Sequence, residues 1–272
     1  MPPTTPGDGV SDGDATVLGR PRVHLRRTDS TNERARALAI AGAPHGTLVT
    51  AAEQTAGRGR QGRGWVAPSG SALLCSLVLR DPPPLLSLIA GVAMCDAVGA
   101  QARVKWPNDV VIEHQGPTPR PSTTLATSTG DSPSRAGQPL APTLAKLAGI
   151  LVEGRPQEGW VVLGIGVNVA VRIEDLPVEL RERAASLELA PSAIETTLGR
   201  VIDALRRRLA EPADTVLDAW RARDALRGRE VCWAQGRGRA EGIDDTGHLL
   251  VRLDDGATTA LDAGEVHLAS VG

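Results

Sequence analysis

Nine residues, Gly57-Arg58-Gly59-Arg60-Gln61-Gly62-Arg63-Gly64-Trp65, lie between two apolar segments, 46–52 and 71–80, that read as strands. Four glycines give this run few side chains to pack and a high entropic cost of ordering, so it extends neither strand and forms no helix. It must be a loop held between ordered walls. Glycines let a backbone approach a ligand and turn through positive φ, and consecutive amides in such turns make a concavity for anions. Three guanidiniums on one short loop repel unless an anion lies between them. Each charge-assisted hydrogen bond to that anion is worth roughly 1.5–3 kcal/mol. The competing assignment is a flexible Gly/Arg tract of the RNA-binding sort. Flanking strands argue against it. So do the absence of Tyr and Phe for base stacking and a net charge of −2 from 30 basic and 32 acidic residues.

The rest of the chain reads as an α+β fold. A short strand at 23–26 leads to Asp29-Ser30-Thr31-Asn32-Glu33, where Ser30 and Glu33 have capping-box spacing ahead of a helix to about Ala41. The apolar stretch 85–100 is short for a membrane span and carries Asp96, so it reads as a buried helix. Strand pieces at 103–106 and 110–113 flank Pro107, and further strands fall at 146–153 and 160–171. Helices are expected at 192–209, with Ser192 and Glu195 as a second capping box, and at 214–226. From Arg229 onward, short alternating segments broken by Asp245-Thr246-Gly247 and Asp255-Gly256 predict a small β-barrel or sandwich of four to five strands. Three domains follow: a disordered tail over 1–20, a catalytic unit over 21–227 and the small β unit over 228–272. Residues 115–143 hold six Pro, ten Ser or Thr and three Gly, which marks a disordered insertion. The first 20 residues contain no apolar run, so no signal peptide, and the three cysteines form neither metal spacing nor a disulfide framework. A soluble, cytoplasmic protein is expected.

Composition singles out five further positions. Arg occurs 28 times and Lys only twice, at Lys105 and Lys146, while Asn occurs only at Asn32, Asn108 and Asn168. Under drift toward GC-rich codons, a surviving Lys or Asn marks a place where substitutes fail. In Lys105-Trp106-Pro107-Asn108-Asp109, the proline fixes a turn after which Asn108 and Asp109 can converge on a ligand. A carboxylate beside a basic residue suits Mg²⁺–phosphate chemistry, and an ordinary Asn-Asp turn is the alternative. Lys146 opens an apolar strand, where a compact ammonium grips phosphate differently from a planar fork. Asn168 follows two glycines in an apolar strand and needs either a ligand edge or a backbone partner. Ser30, Thr31, Asn32 and Gln54 together offer neutral donors and acceptors suited to a urea or amide.

Taken together, these segments resemble the biotin–protein ligases. The resemblance rests on 29–32, 53–63, 105–109, Lys146-Leu147-Ala148-Gly149-Ile150-Leu151 and Gly164-Ile165-Gly166-Val167-Asn168, in family order, and all five scarce residues fall inside it. It implies a catalytic domain related to class II aminoacyl-tRNA synthetases and a small C-terminal SH3-like barrel. It also implies a two-step reaction with ATP and Mg²⁺: biotin is activated to biotinyl-5′-AMP, then transferred to a lysine of a biotin carboxyl carrier protein domain. By the family pattern, Arg58, Arg60 and Lys146 handle the carboxylate and α-phosphate, with Asp109 as a catalytic residue and a candidate Mg²⁺ ligand. Ser30, Thr31, Asn32 and Gln54 read the ureido end, and Gly59, Trp65 and Gly149 complete the biotin site. Arg63, Lys105, Asn108 and Asn168 serve ATP or the adenylate. Only 28 residues precede Asp29, which implies a form without the DNA-binding domain, hence no DNA partner, and no membrane partner is implied. A homodimer is left open. The rival of the same fold is a lipoate or octanoate ligase or transferase, against which the three loop arginines and the polar cluster argue.

Overall fold

The apolar segments fold into two sheets in the computed structural model, which describes residues 17–114, 143–262 and 266–268. The larger sheet has strands β1 (Arg22–Leu25), β2 (Leu48–Ala51), β3 (Ala72–Arg80), β4 (Arg103–Lys105), β5 (Asp109–His114), β6 (Thr143–Arg155) and β7 (Trp160–Asn168). Their spatial order is β1-β2-β3-β7-β6-β5-β4. β1 and β2 run parallel, and the other neighbours are antiparallel. The helices are α1 (Thr31–Ile40), α2 (Leu86–Val98), α3 (Val178–Arg181), α4 (Ala193–Leu209) and α5 (Ala213–Arg221). A second, antiparallel sheet contains β8 (Glu230–Trp233), β9 (Gly236–Ile243), β10 (Leu249–Arg252), β11 (Thr258–Leu261) and β12 (His267–Leu268), in the order β11-β10-β9-β8-β12. The α+β expectation holds. The expected barrel is, among the described residues, an antiparallel sheet with β11 and β12 at its edges.

Strand periodicity explains the layering. On β7, Val161, Leu163, Ile165 and Val167 enter the main core, while Trp160 and Val162 pack with Ala35 and Ala39 of α1 on the opposite face. That opposite face continues as Gly164, Gly166 and Asn168, where the site lies. α2 is buried almost all round, and its one charge, Asp96, is held by Arg208 and Arg223 at 2.7 Å each. The main core continues without a break into the smaller sheet through Val231, Ala240, Leu249 and Val251. Trp106 Nε1 adds a direct tie by donating to the Gly247 carbonyl at 3.0 Å. Among the described residues, no helix is long and apolar enough to cross a membrane.

Three expectations need correction. Neither capping box forms: Ser30 and Ser192 make no side-chain cap hydrogen bond. Glu33 turns instead to Arg58, and Glu195 to Arg22. The last helix ends at Arg221 and not near Leu226, because the following segment pairs with β4: Val104 N–H donates to the Arg223 carbonyl and Ala225 N–H to the Val104 carbonyl, both at 2.9 Å. Of the expected tail, residues 17–20 are described, and Leu18 is buried; the remainder, with 115–142, lies outside the described residues. Thr143, placed in the insertion, opens β6.

The junction segment carries a buried acid. Asp224 Oδ1 accepts the Leu226 N–H at 2.8 Å, while Oδ2 is buried with no partner. Burial pushes this carboxyl up to about 6. The native state therefore holds the proton more tightly than the unfolded chain. The contribution of this group to stability is greatest below about pH 4 and is lost as pH rises through about 6. Asp224→Asn is expected to raise the melting temperature at pH 7.5, by up to about 3 kcal/mol of stability, and to gain little near pH 4. Melts of both proteins at the two pH values check this, and equal gains at both would exclude the buried charge as the cause.

Candidate active site

Two cavities open on the glycine-bearing face of the large sheet. The smaller, about 40 Å³, is lined by Ser30, Thr31, Asn32, Gln54, Arg58, Trp65, Asn108, Lys146 and Gly149, with Cys75, Gly164 and Gly166 in its floor. The larger, about 260 Å³, is lined by Arg60, Arg63, Trp65, Lys105, Asn108, Asp109, Lys146 and Asn168. Trp65, Asn108 and Lys146 belong to both, so the cavities meet at these three side chains. Of the expected site residues, only Gly59 lines neither. Its N–H instead donates to the Arg63 carbonyl at 2.7 Å and closes the loop turn.

The floor exists because three strand positions have no side chain. A Cβ at Gly166 would lie 2.6 Å from the Trp65 ring, and one at Gly149 3.0 Å from that ring and from the Lys146 side chain. One at Gly164 would lie 2.0 Å from Asn32 Oδ1. Lys146 and Gly149 are three apart, so a regular strand would aim them at opposite faces. The register between β5 and β6 shifts here: Val110 pairs with Ala148, but Val111 pairs with Lys146. Leu147 is the extra residue of a bulge, and the bulge returns Lys146 to the face of Gly149.

Charges in the site are held by partners. Lys146 Nζ lies 2.6 Å from Asp109 Oδ1 and 5.7 Å from the Trp65 ring centroid. Arg58 is gripped by Glu33 at 3.0 Å and Glu153 at 3.2 Å. Arg60 donates to Asn108 Oδ1 at 3.3 Å, and Asn108 Nδ2 donates to the Ile150 carbonyl at 2.7 Å. Asn168 has a mixed outcome. Its Nδ2 donates to the Ala185 carbonyl at 2.8 Å, whereas its Oδ1 is buried without a partner. The Ser30 hydroxyl and Trp65 Nε1 are likewise buried and unpartnered. Such groups cost of order 1–3 kcal/mol each unless something supplies a hydrogen bond, which suits a site waiting for a polar ligand. Burial pushes the Cys75 thiol up to about 12, so it packs and is no nucleophile.

Sequence reasoning missed several contributors. Glu33, Glu153 and Ser76 support the polar cluster and loop; Ser76, a hydroxyl inside the apolar strand Ala72–Arg80, carried a readable signal. Arg183 and His267 line the larger cavity from distant elements and carried no signal.

A profile of the biotin/lipoate A/B protein ligase family matches residues 24–169, and one of the biotin protein ligase C-terminal domain matches 228–268. The biotin–[acetyl-CoA-carboxylase] ligase of Paracoccus denitrificans is 34% identical over 261 residues, covering 84% of this chain and 92% of that one. This chain belongs to the biotin protein ligases. The Mycobacterium tuberculosis biotin–[acetyl-CoA-carboxylase] ligase is 33% identical over 267 residues, covering 89% and 86%. The bifunctional ligase/repressor BirA of Bacillus subtilis is 34% identical over 186 residues; the match takes in 64% of this chain and about half of that protein, 48%. The ligase fold is also that of the Aquifex aeolicus biotin protein ligase solved with biotin and ATP. That structure has a TM-score of 0.67 at 23% identity, over 93% of this chain and all of that one.

Gly166→Ala tests the seating of Trp65. Its added methyl is expected to displace the indole, leaving far-UV circular dichroism unchanged while tryptophan emission shifts to the red. The same change in a Trp65→Phe background should shift nothing. A folded Gly166→Ala protein with unchanged emission would show that the ring does not rest on this glycine.

Proposed function

We propose that this biotin protein ligase activates biotin with ATP, giving biotinyl-5′-AMP and pyrophosphate, and transfers the biotinyl group to a lysine of a biotin carboxyl carrier protein domain. The observation that carries the reading is the meeting of a small polar cavity and a larger cationic one at Trp65, Asn108 and Lys146. A ligand in each brings two reactive ends together where the ammonium stands. The small cavity takes biotin, with its ureido end at Ser30, Thr31, Asn32 and Gln54 and its carboxylate toward Lys146. At about 40 Å³ it holds little more than ordered water, so Trp65 must lift from the glycines to admit biotin and then cover it. The larger cavity takes ATP, with Arg60, Arg63 and Lys105 toward the phosphates and Asn168 toward the base.

In the first step a biotin carboxylate oxygen bonds to the α-phosphorus, and the bond from that phosphorus to pyrophosphate breaks. Two anions must approach. At 4 Å, like unit charges cost about 4 kcal/mol at an effective dielectric near 20, and Arg58, Arg60 and Lys146 offset that repulsion. Asp109 holds Lys146 at the junction. Asp109 is the carboxylate that would face an Mg²⁺ ion held by the ATP phosphates, and such an ion would neutralise phosphate charge. In the second step the acceptor amine attacks the biotinyl carbonyl carbon, an amide forms, and AMP leaves.

Arg60→Ala is expected to keep the fold and to slow biotin-dependent ATP–pyrophosphate exchange by roughly 100-fold or more, the scale for removing one transition-state cation. Exchange measured with biotin, lipoate and octanoate checks the reading. Normal exchange by Arg60→Ala would remove that arginine from the chemistry. Exchange by the wild type with lipoate or octanoate, and none with biotin, would move the substrate to the neighbouring ligases.

A further inference from the structure

We propose that Glu153 sets the hydrogen-bond polarity of the small cavity by deciding which way round the Asn32 amide stands. The inference rests on the reading of that cavity as the biotin seat. Glu153, near the end of β6, accepts from Arg58 at 3.2 Å and from Asn32 Nδ2 at 2.9 Å. A carboxylate only accepts, so the Asn32 nitrogen must face it and the Asn32 carbonyl must face inward. There it meets Ser76, a fully buried hydroxyl 2.6 Å from Asn32 Oδ1 and 2.8 Å from Thr31 Oγ1. Thr31 Oγ1 in turn lies 2.9 Å from Gln54 Oε1. That Gln54 atom must be oxygen, because the Thr31 backbone N–H donates to it at 2.7 Å.

Counting protons exposes the consequence. The run Gln54–Thr31–Ser76–Asn32 ends in a carbonyl at each side and contains three oxygen–oxygen contacts. Only two hydroxyl protons are present to fill them. One contact carries none, so the array is rich in acceptors. A ligand end with N–H donors, such as a cyclic urea, suits it better than an end that offers only acceptors or carbon.

Replacing the carboxylate by its isosteric amide reverses the array. Arg58 only donates, so a glutamine at 153 turns its carbonyl to Arg58 and its NH₂ to Asn32. Asn32 then turns over and donates to Ser76, Ser76 donates to Thr31, and Thr31 donates to Gln54. Every contact then carries a proton, and Asn32 presents oxygen where it presented nitrogen. Size and shape are unchanged; what changes is the polarity of the array and the charge that pairs with Arg58. Glu153→Ala removes the acceptor without installing a donor, so Asn32 is released to take either setting and keeps the original one only in part.

Biotin titrations and biotin-dependent pyrophosphate exchange on the full chain test this. Glu153→Gln is expected to raise Kd and KM for biotin roughly tenfold or more while kcat stays within about threefold. Glu153→Ala is expected to do less harm than Glu153→Gln. A positioning role through packing gives the opposite order, since alanine loses more contacts. An unchanged biotin KM in Glu153→Gln, or a worse Glu153→Ala, overturns the inference. A wild type without biotin-dependent exchange overturns the functional reading instead. The polarity is then read from the side-chain amide signals of Asn32 in ¹⁵N spectra, assignable because the chain has only three asparagines. A Glu153→Gln protein with unmoved Asn32 amide signals would end the proposal on its own.

Discussion

The site depends on two neighbouring strands giving up their side chains on one face. Gly149 on β6 and Gly166 on β7 are cross-strand partners, and Gly164 lies two residues along. Together they clear the floor on which Trp65 and Asn32 rest. Such strands lose packing and entropy, and glycine inside a strand weakens it. The loss is tolerable because β6 and β7 are central, and their other face carries Ile165, Val167 and Ala148 into the main core. The bulge at Leu147 then resolves a conflict of period, since Lys146 and Gly149 could not otherwise serve one face. A single irregular residue thus places the ammonium beside the bare floor.

Burial separates the ion pairs that hold the fold from those that can exchange. Asp96 and Arg208 have side-chain exposures of 10% and 14%, and with Arg223 they bind α2 to α4 and to the segment after α5. Breaking that cluster would strand a charge in the interior at a cost of about 3–5 kcal/mol. Arg58 with Glu33 and Glu153 is far more open, and Lys146 with Asp109 is moderately so. Pairs at such exposure contribute about 0–1 kcal/mol net. The carboxylates therefore keep the cations oriented without binding them so tightly that a ligand anion cannot compete. The cations assigned to the ligands in the proposed reaction are the more exposed ones.

Elements with strong local periodicity were legible in the sequence, and so were most residues that line the two cavities. β3, β7, α2 and α4 fall within a few residues of their expected bounds, because apolar runs and alternation are local properties. The scarce lysines and asparagines all line one cavity or the other. What stayed hidden was set by distant partners. Ser30 and Glu33 had the spacing of a capping box, but the serine faces the cavity and the glutamate is drawn to Arg58, 25 residues away. α5 stops early because residues 223–225 find an edge at Val104, on a strand more than a hundred residues earlier. The bulge leaves no mark in the sequence, since Leu147 is as apolar as any residue of a regular strand.

The larger cavity ties the two sheets into one working unit. Its walls come from β4, β5 and β6, from the loop arginines, from α3 and its flanks, and from Val266 and His267 at the start of β12 in the smaller sheet. Trp106 lines it as well, and the same indole donates across to Gly247. Apolar side chains of both sheets share one core, so neither can shift far without disturbing the other's packing. The turn after β4 is therefore fixed from two directions: by Asn108, which donates to β6, and by Trp106, which donates to the smaller sheet. The residue between them is Pro107, which contributes no N–H of its own and has a fixed φ. A turn so constrained holds Asn108 at the junction of the cavities and Asp109 against Lys146, which is the preorganisation that the proposed joining of two anions would use.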